Sequence, residues 1–275
     1  MCKHWPIPRL LTFIFLVALV FPLSHGFASA GQLEKGYAAA KRGDYDEALN
    51  LLRPLAERGD AYAQFAMGSM YLNGQGVPLD YAEAARWFRK GADQGNAAAQ
   101  NNLGTMYLNG QGVPQDYVEA VEWYRRSADQ GDAPAQRNLG SMYVQGRGVP
   151  QDYVKAVNLL LKSANHGYAS AQEDMGTMYH SGFGVQKNDV EAAKWYRKAA
   201  EQGFTAAQTS LGISYFLGKG VRQDYVQAHM WLNLASASEN GEVTSLLNKL
   251  TEYMTPSQIA EAQALARNWK PSAAK

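Results

Sequence analysis

Residues 97–132 read AAAQNNLGTMYLNGQGVPQDYVEAVEWYRRSADQGD, and the same 36-residue text recurs with variations from residues 61, 133, 169 and 205. Nineteen of the chain's 26 glycines fall in four columns of this period, so glycine marks its register. One column is Gly68, Gly104, Gly140, Gly176 and Gly212. Two more make a Gly-x-Gly pair, such as Gly74/Gly76 and Gly110/Gly112, and the fourth is Gly95, Gly131, Gly167 and Gly203, with Glu239 in its place in the fifth unit. Self-similarity at this period is the signature of a solenoid, in which each unit buries its apolar face against the next. A solenoid presents an extended surface rather than a pocket, which points to binding before chemistry.

Each unit reads as helix, turn, helix. In the first, a helix from about Ala61 to Leu72 meets Asn73-Gly74, where glycine can take the left-handed conformation that closes a helix. Pro78 cannot continue it. Asp80 then caps a second helix, and Glu83 three residues on is expected to complete a capping box. The arrangement recurs as Asp116/Glu119, Asn188/Glu191 and Asp224/Gln227, whereas Asp152 is followed by Lys155 and keeps the cap alone. Asn96 and Asp132 can cap the first helix of the unit that follows each.

The apolar columns supply the packing. Tyr71, Tyr107, Tyr143, Tyr179 and Tyr215 share one position, and Trp87, Trp123, Trp195 and Trp231 another, with Leu159 the exception. A ring repeated at one helical phase reads as core rather than as a ligand site. The Gly68 column and the Ala84, Ala120, Ala156, Ala192 and Ala228 column are small enough to let helices approach closely.

These columns carry a family resemblance. The run AQ-x-x-LG-x-MY-x-x-GQGVP-x-DY-x-x-A-x-x-W-[YF]-R-x-[SG]-A-[DE]-QG is similar to the Sel1-like repeat, a relative of the tetratricopeptide repeat, over residues 61–240. The fourth copy departs most, with Val185-Gln186-Lys187-Asn188-Asp189 in place of Val-Pro-x-Asp-Tyr. The resemblance implies an all-α, right-handed solenoid of stacked antiparallel helix pairs. Its expected parts are a signal peptide at 1–30, a degenerate helix pair at 31–60, five repeats at 61–96, 97–132, 133–168, 169–204 and 205–240, and a capping segment at 241–275. In that last segment Thr255, Pro256 and Gln258 read as a capped helix start, and Ile259, Ala262, Leu265, Ala266 and Trp269 lie on one face. A terminal helix of this kind closes an open solenoid end, although the same face could dock a partner.

The leader has its own chemistry. Lys3 and Arg9 precede the apolar stretch from Leu10 to Phe21, and Ala28-Ser29-Ala30 offers a small-residue cleavage site after Ala30. The stretch is shorter than the roughly 20 apolar residues a spanning helix needs, so no stable membrane insertion is expected after cleavage. With histidine counted as neutral, loss of Lys3 and Arg9 turns the formal net charge of +1 into −1 and leaves no basic footprint for nucleic acid. The only cysteine, Cys2, is lost as well, so the mature chain would hold no disulfide or cysteine-bound metal. A periplasmic or secreted location is expected.

A catalytic constellation is not evident, and no metal or cofactor is expected. The sequence lacks Gly-x-Ser-x-Gly and His-Glu-x-x-His, and His166, His180 and His229 fall in different units at different helical phases. Relatives of this repeat that bind or slowly hydrolyse β-lactams are cysteine-rich, with a disulfide in each repeat, and this chain departs from them at every unit. The expectation is a protein-interaction scaffold or regulator in the bacterial cell envelope, not an enzyme. The alternatives are an enzyme on β-lactam or cell-wall substrates and an assembly factor for an envelope machine.

Comparison among the units shows where a partner could sit. Phe65, Asn101, Arg137, Glu173 and Thr209 share one variable position on the first helix, and Ala66, Asn102, Asn138, Asp174 and Ser210 share the next. In tetratricopeptide-like superhelices the first helices line the concave groove, so the resemblance places Phe65, Asn101, Asn102, Arg137, Asn138, Glu173 and Asp174 there. Such side chains could hydrogen-bond a protein or peptide partner.

Overall fold

A computed structural model describes residues 23–237 and 241–272, with side chains from residue 30 onward. The basic start and apolar stretch of the expected signal segment lie outside the described residues, as do Glu239 and Asn240 at the end of the fifth unit. Among the described residues every regular element is a helix. Six antiparallel pairs follow one another: α1 (Leu23–Arg42) and α2 (Tyr45–Glu57), α3 (Ala61–Asn73) and α4 (Tyr81–Asp93), α5 (Ala97–Asn109) and α6 (Tyr117–Asp129), α7 (Ala133–Gln145) and α8 (Tyr153–Asn165), α9 (Ala169–Ser181) and α10 (Asp189–Glu201), and α11 (Thr205–Leu217) and α12 (Tyr225–Ser236). Two further helices, α13 (Gly241–Thr251) and α14 (Pro256–Asn268), pack on α12. From α1 to α12 each helix contacts its neighbours in the chain and little else, which is the solenoid the period predicts, and α14 skips a neighbour to reach α12.

The loop between paired helices is built by its two glycines for two different reasons. Gly110, at φ 68°, is the left-handed residue that closes α5, and its N–H reaches Met106 O. Gly112 is also left-handed, but a Cβ there would overlap the Tyr81 carbonyl at the start of α4. Helix termination therefore accounts for the first glycine only. The second lets the loop lie directly on the backbone of the preceding unit. In the Gly68 column the space is filled by a side chain of the paired helix: a Cβ on Gly104 would stand 2.8 Å from the Tyr124 ring.

The caps form, and the expected boxes do not. Asp80 accepts from Glu83 N at 3.0 Å, but its own N–H donates to Tyr71 O at 3.0 Å. That bond recurs from Asp116, Asp152, Asn188 and Asp224 to the carbonyls of Tyr107, Tyr143, Tyr179 and Tyr215. The donor a reciprocal glutamate would have taken is already spent across the loop. Glu83 pairs with Arg86 instead, Glu119 accepts from Trp123 Nε1 at 3.2 Å, and Glu191 pairs with Lys194.

Buried glutamines tie the units together. Gln100 Nε2 donates to Ala92 O of the preceding unit at 3.0 Å, and Gln64, Gln136, Gln172 and Gln208 make the same bond to Ala56, Ala128, Ala164 and Ala200. The Trp column is buried, with Lys90, Arg126 and Lys198 lying over the rings of Trp87, Trp123 and Trp195 at 4.1, 4.5 and 3.9 Å. The Tyr column is only half-buried. Its hydroxyls take arginine donors from the preceding unit, Arg89 to Tyr107 and Arg197 to Tyr215.

At the C-terminal end Thr255 and Gln258 form a reciprocal capping box, since no carbonyl competes for the Thr255 N–H. Ala262 and Ala266 are buried and Trp269 meets Trp231 edge-on at 6.1 Å, whereas Leu265 faces solvent and does not belong to the packed face. Ser272 N donates to Glu201 O at 2.7 Å, strapping the tail over the end of α10.

Candidate partner-binding face

The odd-numbered helices carry the two variable columns, and they approach one another directly, α1 with α3 and α3 with α5. Side-chain bonds run along this face with a diagonal step. Asn138 Nδ2 on α7 donates to Asn101 Oδ1 on α5 at 2.9 Å. Arg137 Nε on α7 donates to Asp174 Oδ2 on α9 at 2.6 Å, with a second, longer contact from its Nη2 to Oδ1 at 3.4 Å. In each case the first column of one unit meets the second column of the next, 37 residues on.

Hydroxyl pairs border this ladder. Tyr124 reaches through from α6 to Thr105 at 3.0 Å, and Tyr196 from α10 to Thr177 at 3.3 Å. Burial pushes both phenols up from their ordinary value, with the threonine hydroxyls opposing it. Glu173 is half-buried beside them. Its carboxyl is held above the usual glutamate value, chiefly by burial and then by the charge of Asp174, against the Thr177 hydroxyl and the Arg137 guanidinium. An anionic carboxylate in that position is under-solvated, and a partner offering an N–H donor or a cation would relieve it.

The seven sequence-predicted residues are therefore not equivalent. Asn101, Asn138, Arg137 and Asp174 are bonded to one another, with Glu173 beside the last. Asn102 is half-buried on α5 next to Asn101. Phe65 packs against Phe88 at 5.9 Å and forms part of the apolar cluster between the first two units.

Periodic reading passed over a second polar group. His180 Nδ1 and Asp189 Oδ1 lie 2.6 Å apart at the loop that joins α9 and α10. The signal was present, because both residues depart from their columns at once: Leu72, Leu108, Val144 and Phe216 stand where His180 does, and Tyr81, Tyr117, Tyr153 and Tyr225 where Asp189 does. Among the described residues no three His, Cys, Asp or Glu side chains gather as a metal site would need, and no helix is long and apolar enough to cross a membrane.

A family model described as Sel1 repeat matches residues 31–60, 61–96, 97–132, 133–168, 169–204 and 205–240. A Sel1 repeat protein of Oxalobacter formigenes is 30% identical over 89% of this chain and 98% of its own, with a TM-score of 0.75. The protein c5321, described as a protective antigen of uropathogenic Escherichia coli with an SLR fold, is 35% identical over 89% of this chain, with a TM-score of 0.74. The match takes in 54% of c5321, so this chain spans about half the length of that relative. Among curated proteins nothing matches.

Proposed function

The chain belongs to the Sel1 repeat family, whose members generally serve as protein–protein interaction scaffolds, and from that premise we propose an exported scaffold of the bacterial cell envelope. It binds a partner protein or peptide on the odd-helix face and performs no catalysis of its own. The observation that carries this reading is the polar ladder of Asn101–Asn138 and Arg137–Asp174, with the under-solvated Glu173 beside it. These residues occupy columns that vary between units while the packing columns hold, which is how a scaffold changes its contacts without changing its fold. The basic start, short apolar stretch and Ala28-Ser29-Ala30 site support export. The description of the 35% identical relative as a protective antigen agrees with a place outside the cytoplasm.

Crosslinking in intact cells, followed by purification from the envelope, tests both parts. The recovered chain should begin at Gly31 or within a few residues of it, and a partner should be lost from Arg137→Ala and Glu173→Ala variants. Loss of one charged hydrogen bond costs about 1.5–3 kcal/mol, or roughly ten- to a hundredfold in affinity. A partner retained at full strength by both variants, and lost on substitution of the even helices, would move the interface to the opposite face. A chain recovered only from the cytoplasm with Met1 in place would end the export reading.

A further inference from the structure

At two successive boundaries between units, one position on each of three helices carries an apolar side chain. Leu108, Tyr117 and Met142 pack into one cluster between the second and third units, and Val144, Tyr153 and Met178 into another between the third and fourth. At the next boundary the same three positions are His180, Asp189 and Ser214. All three have turned polar together. Ser214 stands where Met70, Met106, Met142 and Met178 are buried, and the shorter side chain leaves a cavity of about 180 Å³ between α9, α10 and α11. Lys219 lines the same cavity from the glycine loop, at the position held elsewhere by Gln75, Gln111, Arg147 and Phe183.

That loop position faces the start of the preceding unit's second helix, and its chemistry follows its neighbour. Gln75 bonds Tyr45, Arg147 lies over the Tyr117 ring and Phe183 stacks on Tyr153 at 4.9 Å. Lys219 shares the cavity lining with Asp189, whose Oδ1 is already engaged by His180 Nδ1. Ser214 Oγ donates to Ser210 O at 2.8 Å, and the Tyr196 hydroxyl is shared with Thr177. Two donors remain uncommitted around the cavity, the Lys219 ammonium and the Ser210 hydroxyl, while His180, donating from Nδ1 to Asp189 Oδ1, leaves its Nε2 as an acceptor. Ile213 and Leu217 supply apolar wall.

We propose that the His180–Asp189–Ser214–Lys219 cavity is a carboxylate-binding pocket that anchors the partner, which deepens the scaffold reading and rests on it. The pocket is smaller than the ~300–1,000 Å³ typical of drug-sized ligands, so it suits one side chain or a chain end. A short apolar stem fits beside Ile213 and Leu217, and an anionic tip meets the uncommitted donors. A single ammonium at the cavity matches a singly charged carboxylate better than a phosphate dianion.

The test is a solution NMR titration of the isotope-labelled chain with three probes: N-acetyl-leucine, N-acetyl-glutamic acid α-amide, and N-acetyl-leucinamide as the uncharged control. The resonances of Ser210, Ser214, Lys219 and the His180 ring should shift with the first probe if the pocket takes a chain end, or with the second if it takes an acidic side chain. They should stay in place with the control. Ser214→Met restores the residue of the other four units and should abolish the shifts with the fold intact, and Lys219→Gln should weaken binding about tenfold or more. Equal shifts with the uncharged control, or binding that survives Ser214→Met, overturn the pocket. A protein partner that binds the parent and Ser214→Met chains equally removes the pocket as its anchor and leaves the scaffold reading standing. Carboxylate binding at the pocket, with no partner recovered by crosslinking, keeps the pocket and ends the scaffold reading.

Discussion

Gln130 Nε2 donates to Gln100 Oε1 at 2.7 Å, across 30 residues, at the point where the even helix of one unit ends against the odd helix. Gln94–Gln64 and Gln202–Gln172 repeat the bond at 2.7 and 2.8 Å. In the third unit His166 stands in the donor's place, and Gln136 Oε1 is buried with no hydrogen-bond partner. A buried acceptor left unpaired costs roughly 1–3 kcal/mol. His166→Gln is expected to stabilise the chain by about 1 kcal/mol, read as a higher urea midpoint with an unchanged slope. No gain would mean that Gln136 is satisfied in solution by water.

Ser127 and Ser163, both fully buried, donate to Ala97 O and Ala133 O at 2.7 and 2.6 Å. The first unit has Gly91 at that position, and a Cβ there would approach Ala61 O at 3.1 Å. Gly91→Ser should supply the missing bond and remove a flexible residue from the interior of α4. The expected gain is about 0.5–1.5 kcal/mol, and a loss in chemical denaturation would show that α3 and α4 are held too tightly to admit the hydroxyl.

Trp123 is buried between the second unit and the first, with Arg89 and Arg126 both over its ring. Trp123→Ala should destabilise by about 3–5 kcal/mol. Val118, on the same helix but 59% exposed, serves as the control, and Val118→Ala should stay within roughly 0.5 kcal/mol of the parent.

The Arg137–Asp174 pair is partly open to water, with side-chain exposures of 35% and 24%. Solvent screening limits such a pair, so a double-mutant cycle with both residues changed to alanine should give a coupling of about 0.5–1 kcal/mol. A coupling indistinguishable from zero would show that the bond does not persist in solution.

Glu173 makes stability depend on pH. The folded chain holds its proton more tightly than the unfolded chain, because burial and Asp174 penalise the charge. Its contribution therefore grows as pH falls through the raised folded value toward the ordinary glutamate value of 4.5, and is unfavourable at neutral pH. Glu173→Gln should be more stable than the parent at pH 7, with the difference vanishing in acid. Parallel curves for the two chains across that range would assign the pH dependence elsewhere.

The fold was legible because its cause is repetition: one glycine register, one set of caps and one Trp column, each written out several times. The capping boxes were misread because the competing acceptor, Tyr71 O for Asp80, lies across the loop and leaves no trace in local spacing. Leu265 was misread because helical phase does not say how wide the buried stripe is. On the candidate face, both variable columns could be found by comparing units, but their diagonal pairing could not. That Arg137 meets Asp174 rather than Glu173 depends on how far successive units rotate. The His180–Asp189 group was recoverable in principle, since two columns break together in one unit.

The second glycine of each loop has a consequence for how such a chain can change in length. Where Gly112 rests on the Tyr81 carbonyl, main chain meets main chain, and the offset between neighbours does not depend on which side chains they carry. Whole units can then be gained or lost in multiples of 36 residues without disturbing the stacking, whereas one residue inserted in the loop would derail it. At the joint between the fourth and fifth units the side chains add a condition of their own. His180 and Asp189 come from one neighbour and Ser214 and Lys219 from the other, so a unit inserted between them would split their polar cluster.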